Sequence, residues 1–214
     1  MHEINVGYDV IKENAKMAEK IKEILGEKGI KSFNIMGAIG SGKSSLIEKI
    51  VKRFKNFKFC IIAGDVVSEI DEKRLKRLQI PVVGVSTGKE CHLDAHMVFH
   101  ALEKVDLSAD VLLIENVGNL ICPADFDLGE DVRVVVVSTS EGDDIIYKHP
   151  MIFKLADWVV INKCDIKDYV GASPEKMREN VLSLNPKAKV FLTSTKTGYG
   201  MEEFFKEFER CVTG

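Results

Sequence analysis

The chain has 214 residues, 45% of them hydrophobic, and a formal charge of −3. That is enough apolar material for one core-bearing domain and the wrong charge for tracking a phosphate backbone, so no nucleic-acid partner is expected. Apolar runs such as Val134–Val137 fall far short of the roughly 20 residues that a spanning helix needs. Residues 1–20 scatter Glu and Lys among apolar positions, unlike the continuous apolar stretch of a secretion signal. Five cysteines (Cys60, Cys91, Cys122, Cys164, Cys211) form an odd set without scaffold spacing, which fits a reducing compartment. The expectation is a cytoplasmic protein with no membrane partner.

Ala15, Ala18, Ile21 and Leu25 follow helical spacing until Gly26 and Gly29 interrupt it, which predicts an amphipathic leading helix around residues 9–25. Short β-rich runs follow at Phe33–Met36, Phe59–Ile62, Val82–Val85, Val111–Ile114, Val132–Val137, Trp158–Ile161 and Val190–Leu192, with helical stretches between most of them. Several runs are almost continuously apolar, as strands covered on both faces are. Ser173 before Pro174 reads as a helix start, and Met201–Cys211 carries a last amphipathic helix. The fold class is α/β: a mostly parallel sheet of about seven strands with helices on both faces, in a single domain over 1–214.

The first strand leads into Gly37-Ala38-Ile39-Gly40-Ser41-Gly42-Lys43-Ser44-Ser45, which fits the pattern G-x-x-x-x-G-K-[ST] and opens a helix containing Leu46, Ile47 and Ile50. Phosphate binding needs glycines here because the backbone must turn its N–H groups inward, beside a helix N-terminus that favours anions. Lys43 is placed to reach the β- and γ-phosphates, and the Ser44 hydroxyl to ligate magnesium. The three layers therefore read as a P-loop NTPase.

Asp65, soon after the second strand, and Glu115, at the end of the fourth, are the carboxylates placed to support that magnesium. After the sixth strand comes Asn162-Lys163-Cys164-Asp165, which resembles the N-K-x-D element of GTPases. A carboxylate at Asp165 accepts hydrogen bonds from the guanine ring N–H and exocyclic amine, whereas adenine presents it with an acceptor. Lys163 would lay its stem over the base. Ser194-Thr195-Lys196 resembles the S-A-K loop, and Thr195 keeps the backbone N–H that this loop uses.

Two further segments stand out: Ser86-Thr87-Gly88-Lys89-Glu90-Cys91-His92-Leu93-Asp94-Ala95, and Glu115-Asn116-Val117-Gly118-Asn119-Leu120-Ile121-Cys122-Pro123. Together they resemble the hydrogenase nickel-incorporation GTPase HypB, a relative of the urease accessory GTPase, and the resemblance spans Phe33 to Gly200. It implies a nucleotide-gated homodimer that works with hydrogenase maturation proteins and the hydrogenase large subunit. It also implies that Cys91, His92 and Cys122 bind nickel or zinc, a ligand set suited to either ion. Residues 1–30 contain only His2, so the N-terminal high-affinity nickel motif of many bacterial members is expected to be absent.

Asn119 follows Gly118 where some GTPases have a water-positioning glutamine, and no arginine finger is evident, so slow GTP turnover is expected. Asp71 is a candidate to orient the attacking water. Lys148, in Tyr147-Lys148-His149-Pro150, resembles a family lysine that meets the phosphates across the dimer. Two other readings stay open at this stage: a P-loop kinase for a small metabolite, and a non-catalytic zinc-binding module clamped by GTP.

Overall fold

The computed structural model describes residues 6–64, 78–88 and 90–214. The leading helix α1 (Val6–Lys28) is longer at both ends than the periodicity predicts; at its C-terminal end the exposed Gly26, Glu27 and Lys28 continue the helix without adding to the apolar stripe. After it come β1 (Lys31–Met36), α2 (Lys43–Arg53), β2 (Phe59–Gly64), β3 (Val82–Val85), α3 (Ala95–Leu102), β4 (Val111–Glu115) and β5 (Val132–Ser138). The chain continues through α4 (Ile145–Lys148), α5 (Pro150–Lys154), β6 (Trp158–Asn162), α6 (Lys167–Val170), α7 (Pro174–Leu184), β7 (Lys189–Leu192) and α8 (Met201–Thr213).

The seven strands form one sheet in the order β3-β2-β4-β1-β5-β6-β7, and every pairing is parallel. A parallel pair needs a crossover, and the intervening helices supply it on the two faces. On one face α2 and α8 cover Phe33, Ile61, Leu113, Val134 and Val160, joined by Phe204 and Phe208. The other face carries two clusters. Ala18, Ile21 and Leu25 of α1 pack with α3 over Cys60, Ile62, Leu112 and Ile114, while Ile152, Phe153, Met177 and Val181 cover Val135, Val137, Val159 and Ile161.

Strand residues on both faces are thus buried, which is why these runs read as continuous apolar blocks rather than alternating ones. The order matters for function, because β1 lies between β4 and β5 and the chain builds β2, β3 and β4 on one side of it before crossing to place β5, β6 and β7 on the other. That reversal opens a crevice beyond the carboxyl ends of the strands. The ends of β1, β4 and β6 all deliver their motifs there. Among the described residues no helix is long and apolar enough to cross a membrane.

Candidate functional site

The loop after β1 runs into α2 with the conformation its glycines permit. Gly42 caps α2 at φ 112°, and a Cβ there would lie 2.2 Å from Asn162 Nδ2, so both the backbone angle and the space demand glycine. Lys43 is buried, and its Nζ donates to Gly37 O at 2.9 Å and Ala38 O at 3.1 Å. The ammonium therefore lies folded along the loop it is expected to serve. Ser41 Oγ is shut off from water without a hydrogen-bond partner, an orphan that a phosphate oxygen would satisfy. Gly40 and Ser45 complete the loop and the first turn of α2.

Across the crevice, Ser44 Oγ donates to Glu115 Oε1 at 2.6 Å. A hydroxyl and a carboxylate converging at a phosphate loop are hard oxygen donors of the kind magnesium takes. The structure thus brings Ser44 and Glu115 together. Asp65 and Asp71, the other two carboxylates singled out from sequence, lie outside the described residues. Lys148 sits on α4 with its Nζ 2.7 Å from Asp144, and both side chains are exposed.

On the base side, Asn162 proves to be a tie between loops. Fully buried, it donates from Nδ2 to Ser41 O at 3.0 Å and accepts from Thr195 N at Oδ1, also at 3.0 Å. Its own carbonyl accepts from Thr139 Oγ1 at 2.9 Å. One amide can do this because it both donates and accepts. Lys163 follows in the left-handed region at φ 61°, turning the chain sharply so that Asp165 falls beside the loop carrying Ser194, Thr195 and Lys196. Ser194 Oγ accepts from Thr197 N at 3.1 Å and its N–H donates to Tyr199 O at 2.9 Å, which fixes that loop while Lys196 stays exposed.

Asp165 is half-buried, and its Oδ1 is sealed from water with no hydrogen-bond partner. It lines a cavity of about 310 Å³ with Cys164, Thr197 and Tyr199. An unpaired buried carboxylate oxygen is costly unless a ligand donor completes it. Between the two halves, Glu141 closes a capping box on Ser138. Burial raises its carboxyl above the ordinary range, while the backbone hydrogen bond and the charges of Lys163 and Lys43 pull the other way. Nothing in the sequence marked Glu141; the S-x-x-E spacing from Ser138 was the available signal.

The metal candidates also converge. Ligand atoms of Cys91, His92 and Cys122 all lie within 4.8 Å of one another, with the two sulfurs 3.0 Å apart and Cys91 Sγ 3.9 Å from His92 Nδ1. His92 is 9% exposed, its ring 4.0 Å from that of Phe126, whereas Cys91 is open to solvent. The Cys91 neighbour, through its thiol hydrogen bond, then burial, raises the Cys122 thiol above its usual value. Two sulfurs and an imidazole within reach of one point suit a borderline-soft divalent ion and leave a coordination position open. His96 and His100, four residues apart on α3, are exposed, and His92 precedes the α3 N-cap, Asp94. The three histidines therefore do not share one helical face.

Residues 31–192 match the CobW/HypB/UreG nucleotide-binding domain. The chain belongs to that family. The probable hydrogenase maturation factor HypB of Methanocaldococcus jannaschii is 49% identical over 98% of this chain and 96% of its own length. Among solved structures, hydrogenase maturation factor HypB from Archaeoglobus fulgidus superposes with a TM-score of 0.89 at 51% identity, covering 94% of this chain and 99% of that one. HypB from Helicobacter pylori, solved in complex with nickel, gives 0.88 at 34% identity over 94% and 95%. A LAO/AO transport system kinase at 17% identity and TM-score 0.65 shares the fold alone. The CobW/HypB/UreG match covers every strand from β1 to β7, so it includes the whole sheet that positions the crevice.

Proposed function

We propose that this chain is a GTP-binding metallochaperone that hydrolyses GTP slowly to GDP and phosphate and assists nickel insertion into a [NiFe] hydrogenase. The observation that carries the nucleotide part is the buried, unpartnered Oδ1 of Asp165 beside a cavity at the crevice. Guanine supplies the donors that this carboxylate lacks, and adenine does not. Lys163 and the backbone of Thr195 flank the base, and Gly37, Gly40, Ser41, Gly42, Lys43, Ser44 and Ser45 hold the triphosphate. Lys43 leaves the carbonyls of Gly37 and Ala38 for the phosphates as the nucleotide enters.

Ser44 and Glu115 hold the magnesium, Glu115 through a bound water, with Asp65 as the further carboxylate and Asp71 orienting the attacking water. Magnesium neutralises the charge that develops on the phosphoryl oxygens. Cys91, His92 and Cys122 bind the cargo ion, nickel or zinc. Three ligands per chain leave the ion incompletely held, so a second copy, closed against the first by GTP, completes the site and brings Lys148 to the partner's phosphates. Hydrolysis then loosens the pair and lowers its hold on the metal. The relatives' names, hydrogenase maturation factors, support a role in hydrogenase assembly; the partners on this reading are hydrogenase maturation proteins and the hydrogenase large subunit, and reduced thiol ligands suit a cytoplasmic setting. The chain works as one unit, with α1 as part of its cover.

Direct titration of the purified chain with GTP and with ATP, each with magnesium, tests this. A preference for GTP of roughly 10⁴-fold is expected from a site built on hydrogen bonds to the base. Equal affinity for the two overturns the reading.

A further inference from the structure

The segment from Glu115 to Cys122 touches the phosphate loop and the metal loop at alternate residues. Glu115 receives the Ser44 hydroxyl at 2.6 Å. The next residue, Asn116, is 1% exposed; its Oδ1 accepts from Leu93 N at 3.1 Å and from Val117 N at 2.9 Å. Its Nδ2 donates to Asn34 Oδ1 at 3.2 Å, so the amide is anchored in the sheet. Gly118 lies against the phosphate loop: a Cβ there would stand 3.1 Å from Ile39 N. Asn119 bridges to Gly37, donates from Nδ2 to Cys91 O at 3.3 Å and accepts from Ile121 N at 2.8 Å. Cys122 follows.

Two asparagine side chains thus grip the main chain on either side of His92, at Cys91 and at Leu93, while Asn119 bridges to Gly37 and the neighbouring Glu115 and Gly118 meet Ser44 and Ile39. Such amides transmit movement well. Each bridges two backbone groups of different segments, and the Asn116 contacts are shielded from water, so releasing them leaves buried polar atoms unpaired. A displacement of Glu115 or Gly118 by magnesium and the γ-phosphate must therefore carry the Cys91–Leu93 backbone with it or break these bonds.

We propose that Asn116 and Asn119 are positioning residues that couple the nucleotide state of the phosphate loop to the placement of Cys91 and His92. This rests on the nucleotide-gated metal binding given above and names the physical link for it. Aspartate at 119 keeps the acceptor for Ile121 N, removes the donor to Cys91 O and to the Cys122 thiol, and sets a negative charge beside both, so Asn119→Asp cuts one tether without opening the core while also shifting metal affinity uniformly. Asn116→Ala cuts the other, with a cavity and an orphaned Leu93 N–H as its side effects.

The experiment measures the nickel(II) dissociation constant of the full chain, by competition with a chelator, in GDP and in a non-hydrolysable GTP analogue. The readout is the ratio of the two constants, which a uniform change in metal affinity leaves untouched. A second measurement follows the His92 and Leu93 amide resonances of the metal-free protein in both nucleotides. In the wild type the ratio departs from one and both amides shift. Asn119→Asp is expected to shrink the ratio by roughly threefold to tenfold, the worth of one such hydrogen bond, and to reduce the amide shifts. A ratio and shifts unchanged in Asn119→Asp and in folded Asn116→Ala overturn the tether while leaving gated metal binding intact. Amides that shift with nucleotide in the wild type but not in the variants, without any change in nickel affinity, uphold the tether and overturn the gating.

Discussion

On the proposed reading Asp165 selects guanine over adenine, and its chemistry makes a signed prediction. In Asp165→Asn one acceptor oxygen becomes an amide NH2, so guanine meets a donor where it needs an acceptor. GTP binding is expected to weaken by about 2 kcal/mol or more, roughly thirtyfold. Xanthosine triphosphate, which has an acceptor where guanine has its amine, should bind the variant better than it binds the wild type. Isothermal titration of both nucleotides against both proteins checks this, and an unaltered GTP affinity in the variant would discredit the assignment.

The metal residues carry a pH prediction. Nickel or zinc binds the thiolate, so protons compete with the ion at Cys91 and Cys122. The Cys122 thiol lies above its ordinary value because of the Cys91 hydrogen bond and burial. At neutral pH the thiol is protonated and binding displaces its proton, so metal affinity should climb as pH increases, and the raised pKa makes it keep climbing past the ordinary thiol range. Chelator competition across a pH series reads the slope, and Cys122→Ser should both weaken binding and flatten it. A slope identical in wild type and Cys122→Ser would remove that thiol from the site.

At the scale of elements, α1 is pinned by one buried side chain. Asn14 donates from Nδ2 to Asp127 O at 2.7 Å and accepts from Ala95 N at 2.8 Å, joining α1 to the start of α3 and to the turn before β5. Asn14→Ala leaves the buried Ala95 N–H unpaired and frees the Asp127 carbonyl at the surface, and the expected loss is about 1–3 kcal/mol. Denaturant unfolding measures it. A loss under half a kilocalorie per mole would mean that the apolar stripe of Ala18, Ile21 and Leu25 holds the helix alone.

The strands themselves were legible because residues such as Val134–Val137 are covered on both faces, leaving an uninterrupted apolar run. The phosphate loop of the nucleotide-binding domain was legible because its residue types are dictated by ligand chemistry at fixed spacing. Strand order was not, since β4 and β5 flank β1 through pairings made between segments far apart in sequence. The ties made by Asn14, Asn116 and Asn162 were equally silent. A single buried asparagine has no periodic signature, and its partners, Ala95, Leu93 and Ser41, lie 81, 23 and 121 positions away.

At the scale of the whole molecule, the sheet sets both sites on one edge, with the phosphate loop leaving β1 and the Cys122 segment leaving its neighbour β4. A ligand that closes over this edge therefore reaches both sites at once. Each chain supplies two sulfurs and one imidazole, one short of the four ligands a closed tetrahedral zinc site uses. A second copy turned face to face would supply the rest. The expected behaviour is a monomer in GDP and a dimer in a non-hydrolysable GTP analogue with magnesium. Metal should be retained through gel filtration by the dimer fraction and shed by the monomer. Light scattering coupled to elemental analysis of each fraction measures mass and metal together. Because linkage is reciprocal, added nickel should also lower the analogue concentration needed for dimerisation by the factor by which the analogue tightens nickel. A monomer in every nucleotide, with metal content unchanged between fractions, would leave the nucleotide site standing and remove the two-chain metal site.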